Sequence, residues 1–113
     1  MKSKTYVPGI GDIIWMNFNP SKGSEQKGKR PALVVTDEKY NRFGLCYVLP
    51  ITTKIKGYPI EVLLPDEAKT KGVILTNQML AIDFESRQVS YIEGLDKATL
   101  DIVKSRLRTI LQL

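Results

Sequence analysis

The segment RPALVVT, Arg30 to Thr36, is the clearest indicator of fold in this 113-residue sequence. Proline cannot donate a sheet hydrogen bond, so Pro31 belongs at the start of a strand or at an edge. The residues after it are apolar and rich in valine, which favours a strand over a helix. The loop before it, Gly23 to Lys29, is glycine-rich and charged. The segment therefore predicts a core strand that begins directly beside a polar loop.

Short apolar segments of the same kind lie on both sides of it. Upstream, residues 11–20 (GDIIWMNFNP) alternate so that Ile14, Met16 and Phe18 share one face of a predicted strand. Residues 37–44 are predicted to be a polar connection. Further strands are predicted in four segments: LCYVLPITT (45–53), IEVLL (60–64), GVILTNQMLAIDF (72–84) and RQVSYIEG (87–94).

The hydrophobic period changes near the C-terminal end of the sequence. From Asp96, a good N-cap residue, apolar side chains recur at a spacing of three or four, which predicts an amphipathic helix. They are Leu100, Val103, Leu107, Ile110 and Leu111. About five to seven short strands followed by one helix predict a mainly β (α+β) fold, a small curled β-barrel. Residues 1–113 are expected to form a single domain.

The bulk composition narrows the function classes. The net charge is +5, from 17 basic and 12 acidic side chains. This positive excess is typical of a protein that binds nucleic acid or an acidic protein partner. A solvated surface with a chance excess of basic residues would have the same net charge. The absence of a long apolar run or a secretory leader predicts a soluble cytoplasmic protein. The chain has no histidine and one cysteine, Cys46, expected to be buried, so neither a metal site nor a cofactor is expected.

Three side chains near strand ends and loops could together carry chemistry on RNA. Glu25 could take the proton of a ribose 2′-OH, and Arg30 could stabilise charge on phosphate oxygens. Thr52 could donate a hydrogen bond beside them, with lysines close by in the sequence. Each residue also has an ordinary interpretation: a solvated loop carboxylate, a strand arginine paired with an acid, and a strand-end threonine. Composition and periodicity alone favour a small basic β-barrel that binds nucleic acid.

Three separated segments carry a family resemblance. They are residues 6–35 (YVPGIGDIIWMNFNPSKGSEQKGKRPALVV), residues 48–64 (VLPITTKIKGYPIEVLL) and residues 72–83 (GVILTNQMLAID). Their Gly-Asp strand, G-S-E-Q loop, R-P strand start and K-G-Y-P turn occur in the order and spacing of one family. The sequence resembles the MazF branch of the MazF/PemK toxin endoribonucleases over nearly its whole length.

The resemblance implies an SH3-like barrel that forms a homodimer. It implies a type II toxin that cleaves single-stranded RNA, mainly mRNA, at specific sequences without metal, leaving 2′,3′-cyclic phosphate and 5′-hydroxyl ends. It also implies a cognate antitoxin with an acidic, partly disordered C-terminal segment. The catalytic positions of the family fall on Arg30, Thr52 and Glu25. The positions expected to contact RNA are Gln26, Lys29, Thr53, Lys56 and Gln78.

One departure from the family pattern limits what can be carried over. Residues 17–19 read Asn-Phe-Asn, where the MazF branch often has aspartates. The loss of negative charge there can change base preference, so no cleavage sequence is predicted. The rival interpretation is a non-catalytic barrel of the same fold that binds nucleic acid or a protein such as DNA gyrase. The combination of Glu25, Arg30 and Thr52 favours the ribonuclease, because a binding module does not need it.

Overall fold

The computed structural model describes residues 6–17 and 28–113, and this part of the chain forms an antiparallel sheet with a C-terminal helix. The strands are β1 (Asp12–Asn17), β2 (Lys29–Val34), β3 (Leu45–Thr52), β4 (Glu61–Leu63), β5 (Val73–Leu75), β6 (Leu80–Asp83) and β7 (Ser90–Gly94). The helices are α1 (Glu38–Asn41) and α2 (Lys97–Leu111). The strand order is β4-β5-β3-β2-β1-β7, and β6 also pairs with β3. The predicted mainly β fold with about five to seven strands and a terminal helix is confirmed.

The centre of the sheet is buried on both faces. Ile13, Leu33 and Leu49 belong to one core cluster, whereas Ile14 and Ala32 belong to a second cluster on the opposite face. Both sets are fully buried. The predicted alternation in β1 is therefore correct for Ile14 and Met16, whereas Phe18 lies outside the described residues, and the structure adds that Ile13 on the second face is equally buried. This explains why the central segments read as nearly continuous hydrophobic runs.

Pro50 lies where β3 changes its partner. Leu45 to Val48 pair with β6, whereas Ile51 and Thr52 pair with β5. A proline donates no ladder hydrogen bond, so it suits a position between two partner strands. The bend or edge predicted at Pro50 corresponds to this change of partner.

Helix α2 closes the first core cluster. Val103 is fully buried there, and Leu100 and Leu107 pack against the cluster. The end of the predicted apolar stripe differs: Ile110 and Leu111 are exposed, because the packed part of the helix stops before them. No helix in residues 6–17 and 28–113 is long and apolar enough to span a membrane.

The predicted N-cap of α2 is confirmed. The Asp96 carboxylate accepts hydrogen bonds from the Thr99 amide at 2.9 Å and the Thr99 hydroxyl at 3.0 Å. These bonds stabilise the charged form and lower the pKa of Asp96.

The polar connection after β2 contains a short helix that the sequence did not predict. Asp37 caps α1 by accepting a hydrogen bond from the Lys39 amide at 2.8 Å. Asn41, 1% exposed, donates to the carbonyls of Pro8 at 2.7 Å and Thr36 at 2.8 Å. Its Oδ1 accepts from the Thr36 hydroxyl at 2.7 Å. A helix of four residues has no hydrophobic period to detect, which is why it was missed.

Cys46 is buried in the second core cluster beside Val48 and Ile82, as expected. Burial raises the pKa of its thiol to about 12. The thiol is therefore neutral at physiological pH and a poor nucleophile.

Because the central strands are buried on both faces, a substitution at Leu49 tests how much the core contributes to stability. Leu49 is fully buried, whereas Leu63 is 64% exposed. We expect Leu49→Ala to lower the free energy of unfolding by about 2–5 kcal/mol, from lost transfer energy and the cavity left behind. Leu63→Ala is the matched control, with an expected change within about 0.5 kcal/mol. Urea unfolding at one fixed protein concentration measures both. Equal costs for the two variants would contradict this description of the core.

Candidate functional site

An open depression of about 570 Å³ lies where β2 and β3 meet the loop after β3 and the segment between β5 and β6. Its polar and charged lining includes Arg30, Thr52, Lys54, Lys56, Asn77 and Gln78. These residues come from three separate stretches of the sequence. The fold, and not their proximity in the chain, brings them together.

The register between β2 and β3 explains how Arg30 and Thr52 meet. Ala32 pairs with Pro50 at the end of the paired segment, and Arg30 and Thr52, two residues beyond this pair on their respective strands, both line the depression. On its other side Arg30 pairs with Met16 of β1. Arg30 is exposed, and no described residue accepts a hydrogen bond from its guanidinium. The planar cation therefore stands near the start of β2 with donors that no residue in the described part of the chain engages, which suits it to bind a ligand.

The Thr52 hydroxyl is oriented by the backbone two residues further along the chain. The Lys54 amide donates to Thr52 Oγ1 at 3.1 Å, which is the short turn that threonines commonly form at strand ends. This contact uses the oxygen as an acceptor and leaves the hydroxyl proton available. The group can therefore donate a hydrogen bond into the depression.

Gly72 supports Thr52 from behind. It has a φ of +116° and directly precedes Val73, which pairs with Thr52. A Cβ added at Gly72 would lie 2.2 Å from the Thr52 carbonyl oxygen and 3.1 Å from the Cα of Thr53. Only glycine permits so close an approach, and this fixes the end of β3 in place.

The loop after β3 supplies the positive charge on another side. Lys54, Lys56 and Tyr58 are exposed and line the depression. Lys56 Nζ lies 6.0 Å from the centroid of the Tyr58 ring, at the outer limit of a cation–π contact. The carboxylate in the described lining is that of Glu61. The cationic side chains of Arg30, Lys54 and Lys56 outnumber it. The site is suited to an anion such as a phosphodiester.

The predicted site residues divide into three groups. The depression is lined by Arg30, Thr52, Lys56 and Gln78. Lys29 and Thr53 are exposed and adjacent to lining residues in the sequence, but they do not line it. Glu25 and Gln26 lie outside the described residues. The sequence did not single out three further lining residues, which are Tyr58, Glu61 and Asn77.

Two of those three residues had weak sequence signals. Tyr58 is the tyrosine of the K-G-Y-P turn, two positions after Lys56, and Asn77 directly precedes Gln78. Their closeness in the sequence to predicted contacts is the signal that points to them. Glu61 sits inside a predicted strand and gave no comparable signal.

Residues 10–111 match the family described as "PemK-like, MazF-like toxin of type II toxin-antitoxin system". The chain is 38% identical over 107 residues to the endoribonuclease toxin MazF of Escherichia coli strain K12, covering 94% of this chain and 96% of that protein. It is 34% identical over 109 residues to the endoribonuclease EndoA of Bacillus subtilis, covering 91% and 93% respectively.

Solved structures show the same likeness in three dimensions. MazF (form I) from Deinococcus radiodurans is 37% identical, with a TM-score of 0.86, and the match covers 96% of this chain and all of that one. The MazE–MazF complex (form II) from the same organism gives 34% identity and a TM-score of 0.85, over 96% and 99% of the two chains.

The close approach at Gly72 can be tested with a matched glycine. Gly44 has the same φ of +116°, but a Cβ there would meet nothing within 4 Å. Gly44→Ala therefore measures backbone strain alone, about 1 kcal/mol or more. We expect Gly72→Ala to be less stable than Gly44→Ala and to shift the amide NMR signals of Thr52 and Thr53. Equal stabilities with unshifted Thr52 signals would show that Gly72 does not fix the strand end.

Proposed function

The chain belongs to the PemK-like, MazF-like toxin family of type II toxin–antitoxin systems, and we propose that this endoribonuclease cleaves single-stranded RNA, mainly mRNA, at specific sequences. The observation that carries the proposal is the convergence of Arg30, Thr52 and Lys56 in one depression. The proposed consequence is inhibition of translation and growth in the cytoplasm.

The proposed reaction is an internal transesterification that needs no metal. The ribose 2′-oxygen attacks the adjacent phosphorus, the bond to the 5′-oxygen breaks, and the products are a 2′,3′-cyclic phosphate and a 5′-hydroxyl. A base must accept the 2′-OH proton, and the departing 5′-oxygen must gain one. Negative charge grows on the non-bridging phosphate oxygens in between, which is where fixed donors are most effective.

The described residues suit the charge-stabilising part of this reaction. The Arg30 guanidinium can bind two phosphate oxygens at once, and its pairing within β2 limits its movement. The free proton of the Thr52 hydroxyl can be donated to one of the same oxygens. Glu25 is the proposed general base, a role assigned from the sequence. No histidine is required for this division of roles.

RNA on either side of the cleaved bond needs further contacts. We assign Lys56 and Gln78 to these contacts, because they line the depression on two sides. Lys29, Thr53 and Gln26 remain proposed contacts outside the described lining. The exposed Tyr58 ring can stack on a base.

A toxin of this kind needs a neutralising partner. MazE–MazF complexes are among the structures that the chain resembles, which supports a cognate antitoxin. The net charge of +5 suits an acidic, partly disordered segment of that antitoxin laid over the RNA site. We also propose a homodimer, as the family likeness implies.

The test of the proposed function is incubation of the purified chain with RNA in EDTA. Fragments with 2′,3′-cyclic phosphate and 5′-hydroxyl ends at a recurring sequence are expected. Intact RNA would overturn the proposal, and arrest of DNA gyrase by the same preparation would support the rival.

Arg30→Ala tests the charge-stabilising role. Removal of one preorganised donor from such a site commonly lowers kcat by roughly 10²–10³-fold, and we expect at least that loss. The exposed Arg42 lies at the end of α1 and not in the depression, so Arg42→Ala is the matched control. Single-turnover cleavage of RNA measures both variants. Near-normal cleavage by a folded Arg30→Ala variant would remove Arg30 from the mechanism.

Glu25→Gln tests the proposed base. A general base contributes typically 10²–10⁴-fold, and kcat should fall by that order. In the wild-type protein, kcat should decline as pH falls and the carboxylate becomes protonated, since a protonated carboxyl cannot accept the 2′-OH proton. Glu25→Gln should lose this acidic limb. If both the rate and the pH profile of the variant match the wild type, another group is the base.

A further inference from the structure

The loop that carries Lys56 is exposed yet well anchored. All residues from Thr53 to Pro59 are exposed. Exposed loops usually have few fixed contacts and sample several conformations. In this loop the backbone between Lys56 and Ile60 is held instead by side chains from three other places in the chain, which are Glu61, Thr76 and Arg106.

Glu61, the first residue of β4, makes the central contacts. Its Oε1 accepts a hydrogen bond from the Gly57 amide at 2.9 Å, and its Oε2 accepts one from the Lys56 amide at 3.1 Å. The Glu61 amide in turn donates to the Tyr58 carbonyl at 3.0 Å. Gly57 has a φ of +81°, which turns the chain so that both amides face one carboxylate. An ionised carboxylate is a strong acceptor for two backbone amides at once.

Two more residues fix the far side of the same turn. The Thr76 hydroxyl donates to the Ile60 carbonyl at 2.5 Å, and Thr76 is 1% exposed. The Arg106 guanidinium of α2 donates to the Pro59 carbonyl and, at 3.5 Å, to the Glu61 carbonyl. The turn is therefore connected to both the sheet and the C-terminal helix.

We propose that Glu61 is a positioning residue that holds the backbone of Lys56 and Gly57 so that the Lys56 ammonium group is presented to RNA, with Arg106 securing the same turn from α2. This inference rests on the proposed RNA cleavage and adds to it a residue that does not itself contact RNA. Both carboxylate oxygens already accept backbone amides, so Glu61 serves as a fixed anchor.

The direction in which Glu61→Gln changes RNA binding distinguishes a positioning role of Glu61 from simple repulsion between its charge and phosphate. Glu61 carries the negative charge in the described lining of an otherwise cationic depression. If its charge only repelled phosphate, Glu61→Gln would tighten RNA binding. If it positions Lys56, the same substitution weakens binding, because glutamine is uncharged and places an NH2 donor where Oε2 accepts the shorter hydrogen bond from the Lys56 amide.

The experiment compares Glu61→Gln, Lys56→Ala and the double variant on an RNA that the wild type cleaves. Glu61→Gln should raise KM about tenfold and leave kcat nearly unchanged, since a contact remote from the reacting atoms is misplaced. The slope of log KM against log salt should fall by about 0.7, the value for one lost phosphate contact on a single strand. In the Lys56→Ala background, Glu61→Gln should add little.

Matched controls and a measurement without RNA complete the test. Glu85→Gln removes an exposed carboxylate outside the depression and should change nothing. Arg106→Gln should raise KM, with partial rescue by Arg106→Lys, whereas Arg108→Gln on the same helix should not. Amide hydrogen exchange at Lys56 and Gly57 should accelerate in Glu61→Gln, and this readout does not depend on cleavage.

The outcomes distinguish the two proposals. A wild-type chain that does not cleave RNA overturns the proposed function, although amide exchange still tests the anchoring of the loop. Normal wild-type cleavage with tighter RNA binding in Glu61→Gln, or with unchanged KM and unchanged exchange, overturns the positioning role alone. The positioning role is also overturned if Glu61→Gln changes KM equally in the wild-type protein and in the Lys56→Ala variant.

Discussion

The antiparallel register between β2 and β3 is the constraint on which the rest of the structure depends. It pairs Leu33 with Leu49 and Ala32 with Pro50, so alternate residues enter two core clusters on opposite faces of the sheet. A shift of one residue would exchange the two faces. Arg30 and Thr52 lie two residues beyond the Ala32–Pro50 pair on these two strands and both line the depression, so the pairing that stabilises the sheet also helps to set the geometry of the depression.

The sequence predicted the strands well because their signal is local. Six short apolar segments account for the seven described strands, with β5 and β6 in the same segment, and the period of three or four located α2. Helix α1 was missed because four residues have no hydrophobic period, and the hydrogen bonds of Asn41 to the carbonyls of Pro8 and Thr36 leave no pattern in the sequence. Ile110 and Leu111 continue the apolar period of α2, but periodicity does not show where the packing partner of a helix ends.

The candidate site was predictable only where a side chain is itself chemically suggestive. Arg30 and Lys56 carry charge, Thr52 offers a hydroxyl at a strand end, and family likeness drew attention to Gln78. Glu61 and Gly72 act through contacts with backbone atoms of the loop and of the end of β3, and such contacts leave no pattern in a single sequence. For that reason the residues that support the site could be identified only from the structure.

These supporting contacts suggest how a site without histidine can be built at the exposed end of a sheet. Thr52 is confined by the close approach of Gly72, and Lys56 lies on a turn tied to Glu61. Donors that are already fixed in place need little reorganisation as charge develops, and this is the main source of electrostatic stabilisation in enzymes. Rigid backbone beneath exposed side chains therefore provides the preorganisation that a buried site obtains from its surroundings.

The most direct test of this account is a crystal structure with an uncleavable RNA, made by replacing the reactive 2′-hydroxyl with hydrogen at a mapped cleavage site. The account predicts that the phosphate at that site lies within about 3 Å of both the Arg30 guanidinium and Thr52 Oγ1, the distance of a charge-assisted hydrogen bond. A phosphate bound away from these two residues, with the chain still folded and active on normal RNA, would contradict it.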